Sequence, residues 1–467
     1  MSHRRNILII IALTFSVFCV ALGNDFVGDD EVLIVRNLFY KDLSNLKRLA
    51  DKSYITQSEE YFGARNVHDS FGVVSYRPMV SLSYFLDYQL FRLNPMGYHL
   101  HSVVLHVMNA LLVYYLIFLV LNRQTVSLIG ALVFGVHPLK SEAVCAIAYR
   151  HDLLACLFLL LSVIFYLAQD KAGVRRFVYM SASVVFYALS VLSKESAVVL
   201  PLLLICYDMI LRRPSVRQSL KQLCLRYSGF AVVTGIYLWL YWVVFPNSAV
   251  KENLLMGGSY FTHGIIMFQI FMEYVIALIF PMTVKNLPGL YAPEYSLLSI
   301  VIATMGALTL ACLIALIARN LKKEASVSFF LAWFLVSLIP VSNIIALANP
   351  MAYRFVYIPS IGLITAGVIL FEKIRWPASN KKAVFWIFLG VSLITTLSVN
   401  MTWRNNFTVA HAWTVDYPKD SKGYVVLGIE YYKMKQWDKA IDALKSAKAK
   451  GSLDVRIDAL IAESENK

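Results

Sequence analysis

An all-α polytopic membrane fold is predicted for this chain by three observations. Of its 467 residues 58% are hydrophobic and only 15% charged, with a mean hydropathy of +0.62, against roughly half and a quarter in soluble domains. Apolar runs of about 17 to 25 residues recur along most of the sequence, and in hydrocarbon such runs must be helices, because every backbone N–H and C=O needs a partner inside its own segment. The basic residues sit in short connections between these runs, mostly on alternate sides.

The first run, at about 6–22, follows Arg4 and Arg5. It has the form of a signal peptide, but Ala21, Leu22 and Gly23 make a poor small-x-small cleavage site and a polytopic chain follows, so an uncleaved first crossing is expected. A polar loop over 23–98 comes next. Amphipathic pieces around Leu38 to Leu49 and Met79 to Leu93 predict an ordered element lying in the interface plane rather than a passive connector. Further runs fall at about 100–121, 126–139, 144–168, 177–192, 196–211 and 227–246, then at 264–280, 297–318, 326–347, 355–371 and 383–400.

Charge orders these runs. With Arg4 and Arg5 in the cytoplasm, five connections share their side: Arg123; Lys171, Arg175 and Arg176; Arg212, Arg213, Arg217, Lys221 and Arg226; Arg319, Lys322 and Lys323; and Lys373, Arg375, Lys381 and Lys382. The opposite short loops hold only Lys140, Arg150, Lys194, Lys251, Lys285 and Arg354. This positive-inside bias requires that the 264–280 run does not cross, which predicts about eleven crossings and a re-entrant or interface-lying segment there. The 23–98 loop and everything beyond Asn400 are then non-cytoplasmic, on the periplasmic side of a bacterial inner membrane or in the endoplasmic reticulum lumen.

Two regions result, a membrane domain over 1–400 and a tail over 401–467 that turns rich in Lys, Ala and Asp. In the tail, Tyr424, Leu427, Gly428, Tyr431, Ala440, Leu444 and Ala447 follow the spacing of one tetratricopeptide repeat, with Trp437 closing the turn between its helices. A single repeat cannot bury its own apolar face, so it is expected to dock on the membrane domain or on another chain.

The net charge of +14 does not indicate nucleic acid, because the cations are scattered through loops rather than gathered on one stripe. Cys19, Cys145, Cys156, Cys206, Cys224 and Cys312 show neither CxxC nor metal-type spacing, and no His, Asp or Glu spacing specifies a metal ion. A nucleotide-binding glycine loop is also missing, which argues against a soluble nucleotide-sugar donor.

Ionisable residues beside membrane spans are costly and are therefore functional candidates. Here they gather at the non-cytoplasmic ends: Asp29, Asp30 and Glu31; His137, Lys140 and Glu142; Arg150 and Asp152; Lys194 and Glu195; and Arg354. Such a set suits displacement at a sugar carbon carried on a lipid phosphate. A carboxylate takes the proton from the attacking hydroxyl, and cations fixed at the membrane boundary stabilise the departing phosphate. Because a polyprenyl tail stays in hydrocarbon, its phosphate reaches only headgroup depth. His137, Arg150, Lys194 and Arg354 are expected to form one phosphate pocket there, with separate ion pairs, Arg150 on Asp152 and Lys194 on Glu195, as the alternative.

These residues also carry a resemblance. Asp29-Asp30-Glu31 through Asn37, Ser75-Tyr76-Arg77-Pro78, Gly97-Tyr98-His99-Leu100 before His106, His137-Pro138 with Glu142 and Val144, Arg150-His151-Asp152-Leu153-Leu154, Ser193-Lys194-Glu195 and Arg354 to Pro359 follow one another as in the transmembrane and tetratricopeptide-repeat O-mannosyltransferases. That family belongs to the GT-C glycosyltransferase superfamily. The resemblance implies a GT-C fold, a polyprenyl- or dolichyl-phosphate sugar donor (mannose or a similar hexose), an inverting transfer and a protein or glycan acceptor. It also implies that the acidic pair opening the first loop contains the general base, with Asp30 ahead of Asp29. Glu31, Arg77, Glu142, Asp152 and Glu195 are the supporting residues. Two features depart from the family: Tyr353 stands where an acidic residue commonly precedes the arginine, leaving Arg354 without a neighbouring carboxylate to orient it, and the tail holds about one repeat where many are usual.

Two other classes compete. A transporter or flippase of lipid-linked saccharides needs polar residues at mid-membrane and related half-repeats, which the sequence lacks. A membrane-anchored interaction protein needs far fewer crossings.

Overall fold

The computed structural model describes residues 2–50, 76–171, 173–213, 220–244, 255–285, 297–345, 347 and 349–467; Ser75, Arg217 and Lys251 lie outside them. Among the described residues the regular structure is helical. The helices are α1 (His3–Phe18), α2 (Pro78–Phe91), α3 (Pro95–Leu121), α4 (Gln124–Val136), the short α5 (Ser141–Cys145) and α6 (Arg150–Ala168). Next come α7 (Arg176–Val191), α8 (Leu200–Tyr207), α9 (Leu220–Trp239), α10 (Tyr260–Ile279), α11 (Leu297–Lys323), α12 (Ala325–Leu338), α13 (Pro359–Lys373) and α14 (Ala378–Thr402). The tail adds α15 (Asn406–Asp416), α16 (Ser421–Lys433), α17 (Trp437–Ala449) and α18 (Arg456–Glu465). The chain is an integral membrane protein.

Among the described residues eight helices are long and apolar enough to cross a membrane, or nine if the bent pair Gln124–Val136 and Pro138–Cys145 counts as one span. The 55° bend falls at His137-Pro138, where proline withholds the amide that a continuing helix would use. The expectation of about eleven crossings omits α10 and includes α8, α12 and α13, whose α-helical parts of 8, 14 and 15 residues are extended by the flanking turns Glu195–Val199, Asp208–Arg212, Ile339–Val341 and Tyr353–Val356.

The segment expected not to cross forms α10, which qualifies as a span by length and hydropathy. His263 Nε2 is 2.7 Å from the Asn343 carbonyl, the Tyr274 hydroxyl accepts from Ala352 N–H at 3.2 Å, and the Leu278 carbonyl is 3.2 Å from His137 Nε2. His263, Tyr274 and Leu278 tie the helix to one end of the bundle, while Gln269 and Met272 bond to Ser299 and Thr309 of α11. That end, where residues 24–35, 141–149, 193–199 and 339–358 meet, is called the site end below.

Polar cross-links tie the bundle together. His106 bridges the Tyr357 hydroxyl at 2.6 Å and the Gly135 carbonyl at 2.9 Å, joining α3, α4 and the segment before α13. Lys140 is fully buried, bonded to Ser360 Oγ and the Tyr357 carbonyl and lying 4.3 Å from the Phe134 ring centroid. A buried cation of this kind is tolerated only where carbonyls and π faces replace water. Gly362 lets α12 and α13 touch: a Cβ there would come 2.3 Å from the Phe330 carbonyl oxygen. At the far end Arg123 pairs with Glu372 and Lys373 with Glu324, while Asp208 accepts from Tyr166 at 2.7 Å, Tyr227 at 2.8 Å and Arg226 at 3.1 Å.

In the 23–98 loop, α2 covers most of the stretch Met79 to Leu93, and short 3-10 turns fill Phe39–Lys41 and Leu43–Ala50. The tail hairpin α16–α17 buries Leu427, Leu444 and Ala447, and the Tyr432 and Trp437 rings meet at 5.3 Å across its turn. It is covered on both sides. Ala410 and Phe407 of α15 pack with Leu427 and Ala443, and Ile457 of α18 packs with Leu444 and Ala447.

Candidate functional site

The loop after α1 carries the two expected carboxylates, and it gives them different surroundings. Asp30 is wholly buried. Its Oδ2 accepts from the backbone N–H of Val27 at 3.1 Å and Ile147 at 3.4 Å, and its Oδ1 accepts from Ala148 N–H at 2.6 Å. Burial pushes this carboxyl up to about 7, although the three amide donors favour the charged form. Asp30 therefore staples the loop to the turn that enters α6. Asp29 is half-buried, and its Oδ2 accepts from the Tyr149 hydroxyl at 3.2 Å. Burial raises its carboxyl from the ordinary value, and the Arg354 guanidinium opposes that shift. Glu31 opens the turn Glu31–Val35, its N–H donating to the Gly28 carbonyl at 3.2 Å.

Arg354 lies in the turn Tyr353–Val356. Its guanidinium pairs with Glu142 Oε1, and Glu142 Oε2 accepts its backbone N–H at 2.9 Å. The guanidinium carbon also lies 3.8 Å from the Tyr149 ring centroid and 5.2 Å from that of Phe355. The orienting carboxylate absent from position 353 thus comes from α5. Tyr353 itself turns to Glu273, its hydroxyl 3.3 Å from Oε1.

A chain of alternating charge continues from the Phe355 ring. Lys194 Nζ lies 5.1 Å from the Phe355 ring centroid and 2.5 Å from Asp152 Oδ1. Asp152 Oδ2 is 3.1 Å from His151 Nε2. On the other side of the ring, His151 Nδ1 lies 3.2 Å from Arg77 Nη1 and 3.1 Å from the Ala148 carbonyl. Arg77 closes the chain with a two-pronged bond to Glu195 at 2.7 and 3.1 Å. Burial would raise the Glu195 carboxyl, but the Arg77 guanidinium holds it down at about 2. Asp152 and Phe355 also line a narrow crevice with Ser196, Val199, Ser337 and Ile358.

The four cations expected to share one pocket do not all meet. Lys194 and Arg354 both lie close to the Phe355 ring, whereas Arg150 and His137 are engaged elsewhere. Arg150 is buried between α2 and α3, paired with Asp87 and donating to Ser83 Oγ at 3.2 Å, Ser102 Oγ at 3.3 Å and the Tyr98 carbonyl at 2.9 Å. His137 Nδ1 accepts from Leu139 N–H at 3.3 Å, so its Nε2 donates to the Leu278 carbonyl. The alternative ion pairs are also redistributed. Arg150 holds Asp87 rather than Asp152, because residues two apart on a helix leave it about 200° apart. Lys194 takes Asp152, and Glu195 takes Arg77.

Sequence reasoning missed Asp87, Tyr149 and His151 as working parts. Asp87 had a signal, an acid inside an otherwise apolar helix. Tyr149 had none. Among the described residues no group of His, Cys, Asp or Glu is placed to hold a metal ion.

No protein-family model matches the chain. It is 24% identical over 436 residues to a protein O-mannosyl-transferase of Caenorhabditis elegans, covering 91% of this chain and 59% of that one. A mouse (Mus musculus) protein O-mannosyl-transferase is 32% identical over 170 residues, or 35% of this chain and 17% of its own length. The chain therefore spans well under two thirds of these relatives. The resemblance read from the residues agrees with the relatives' names. Among solved structures, the chain is similar to the oligosaccharyltransferase AglB of Archaeoglobus fulgidus, in complex with an inhibitory peptide and a dolichol-phosphate, at a TM-score of 0.47 and 13% identity, covering 91% of this chain and 59% of that one. It is also similar to ArnT of Cupriavidus metallidurans, bound to undecaprenyl phosphate, at a TM-score of 0.45 and 15% identity, covering 99% of this chain and 78% of that one.

Proposed function

We propose that this chain is a membrane glycosyltransferase of the GT-C type that moves a sugar from a polyprenyl-phosphate carrier to a hydroxyl of a protein or glycan acceptor on the non-cytoplasmic face, with inversion. The observation that carries the proposal is a half-buried carboxylate, Asp29, held by the Tyr149 hydroxyl beside the Arg354–Glu142 pair at the site end of an apolar bundle. A lipid tail needs the bundle, its phosphate needs a cation at the boundary, and the attacking hydroxyl needs a base within reach. The names of the relatives support the class of reaction.

In this reading Asp29 is the general base. Asp30, whose lone pairs already serve three backbone amides, holds the loop in place. As the acceptor oxygen attacks the sugar's anomeric carbon, Asp29 takes its proton and the carbon–phosphate oxygen bond breaks. Arg354 and Lys194 take up the growing negative charge on the leaving phosphate. Glu142 and Asp152 keep those two cations oriented, and Arg77, His151 and Glu195 brace Asp152 from behind. Arg150 and His137 act at a distance, by fixing the segments that carry the site.

The test is an assay of the purified protein with a panel of polyprenyl-phosphate sugars and hydroxyl-bearing acceptors, reading release of polyprenyl phosphate. Acceptor-dependent release from at least one donor is expected. Movement of lipid-linked sugar across sealed vesicles without any release would instead identify a flippase.

A further inference from the structure

We infer that Asn406, the first residue of α15, is a positioning residue for Asp29, and that through it the outer helical unit of the tail is mechanically joined to the candidate site. Asp29 is suspended between two anchors. On its C-terminal side Asp30 is fixed to the turn at 147–148. On its N-terminal side Gly28, whose φ of +57° is a left-handed conformation natural to glycine, donates its N–H to Asn406 Oδ1 at 2.8 Å. The same joint is reinforced one turn back, where Asp25 N–H donates to the Arg404 carbonyl at 2.8 Å. The loop that carries the carboxylate is thus held on one side by the bundle and on the other by the start of the tail.

Asn406 is itself set by a rigid element. The helix it opens is capped by Asn405, whose side chain accepts from Thr408 N–H at 2.9 Å while the Thr408 hydroxyl receives Asn405 N–H at 3.1 Å. Along that helix Val409 packs on the membrane core, whereas Phe407 and Ala410 pack on the hairpin α16–α17, with the Phe407 and Tyr431 rings 5.4 Å apart. One short helix therefore touches the hairpin, the bundle and the backbone beside Asp29. A shift of the hairpin that tilts this helix moves the Gly28 anchor, and a base displaced by about 1 Å loses on the order of 100-fold in rate.

The kinetic part of this inference rests on the transferase reading above, but the clamp itself does not, and the experiment separates them. Full-length protein in lipid nanodiscs is compared as wild type, Asn406→Ala and Asn406→Asp. Backbone hydrogen exchange of the 24–31 segment is followed alongside kcat and donor KM on whichever donor the wild type uses. Asn406→Ala is expected to speed exchange in that segment and to lower kcat roughly 10- to 100-fold at unchanged donor KM. Asn406→Asp, which keeps an oxygen to accept the Gly28 N–H, is expected to restore the protection, which shows that loss in the alanine variant is not misfolding. Unchanged exchange in Asn406→Ala overturns the clamp. Faster exchange with wild-type kcat overturns the positioning role. Faster exchange in a protein that releases polyprenyl phosphate from no donor overturns the transferase reading and leaves the clamp supported.

Discussion

Replacing the two adjacent aspartates separately should give opposite phenotypes. Asp29→Asn keeps an oxygen for the Tyr149 hydroxyl but cannot accept a proton, so the fold should be retained to within about 1 kcal/mol while turnover falls roughly 10²- to 10⁴-fold. Asp30→Ala removes the acceptor of three buried backbone amides, at 3.1, 3.4 and 2.6 Å. At about 1–3 kcal/mol for each buried donor left unpaired, and less for the long bond to Ile147, the loss should be roughly 3–6 kcal/mol. Asp30→Asn separates base from staple: it keeps one acceptor oxygen and resembles the protonated acid that burial favours, so it should fold and turn over. The measurements are thermal unfolding in detergent and release of polyprenyl phosphate. Normal turnover in Asp29→Asn, or a well-folded Asp30→Asn without turnover, would return the role of base to Asp30.

Four further outcomes are expected. Because the Asp30 carboxyl sits near 7 in the fold against an ordinary 3.8, its contribution to stability is full below about pH 4 and is lost as pH rises through 7; the wild-type unfolding temperature should fall over that window, with a flatter profile in Asp30→Asn. Arg354→Lys loses the planar guanidinium that pairs with Glu142 and lies against the Tyr149 ring, so affinity for a fluorescent polyprenyl phosphate should drop about tenfold, and unchanged affinity would remove Arg354 from the phosphate site. Asp87→Asn leaves the buried Arg150 without its acid and should cost roughly 3–5 kcal/mol in denaturation experiments, whereas a neutral result would mean that another group balances Arg150. A reporter fused after Lys467 should be active only when non-cytoplasmic, and activity confined to the cytoplasm would reverse the predicted orientation.

The sequence by itself determined the material of the fold. Long apolar runs can only be helices in hydrocarbon, so Pro95–Leu121, Ile147–Ala168 and Ala378–Thr402 were legible as runs before any packing was known. The same logic singled out the charged residues beside the spans as candidates, since ionisable groups there are too costly to be placed at random. Tertiary structure alone decided how those charges pair. Arg150 and Asp152 are two positions apart but leave the helix on opposite sides, so one meets Asp87 across the bundle and the other meets Lys194. Glu142 reaches Arg354 over 212 positions of sequence, supplying a partner that the neighbouring residue does not. The different surroundings of Asp29 and Asp30 were also beyond the sequence, because they depend on which carboxylate the turn at 147–148 touches. Side-chain type fixes what a residue can do chemically, but its partner is set by the direction in which each helix presents it, and that direction exists only once the helices have packed.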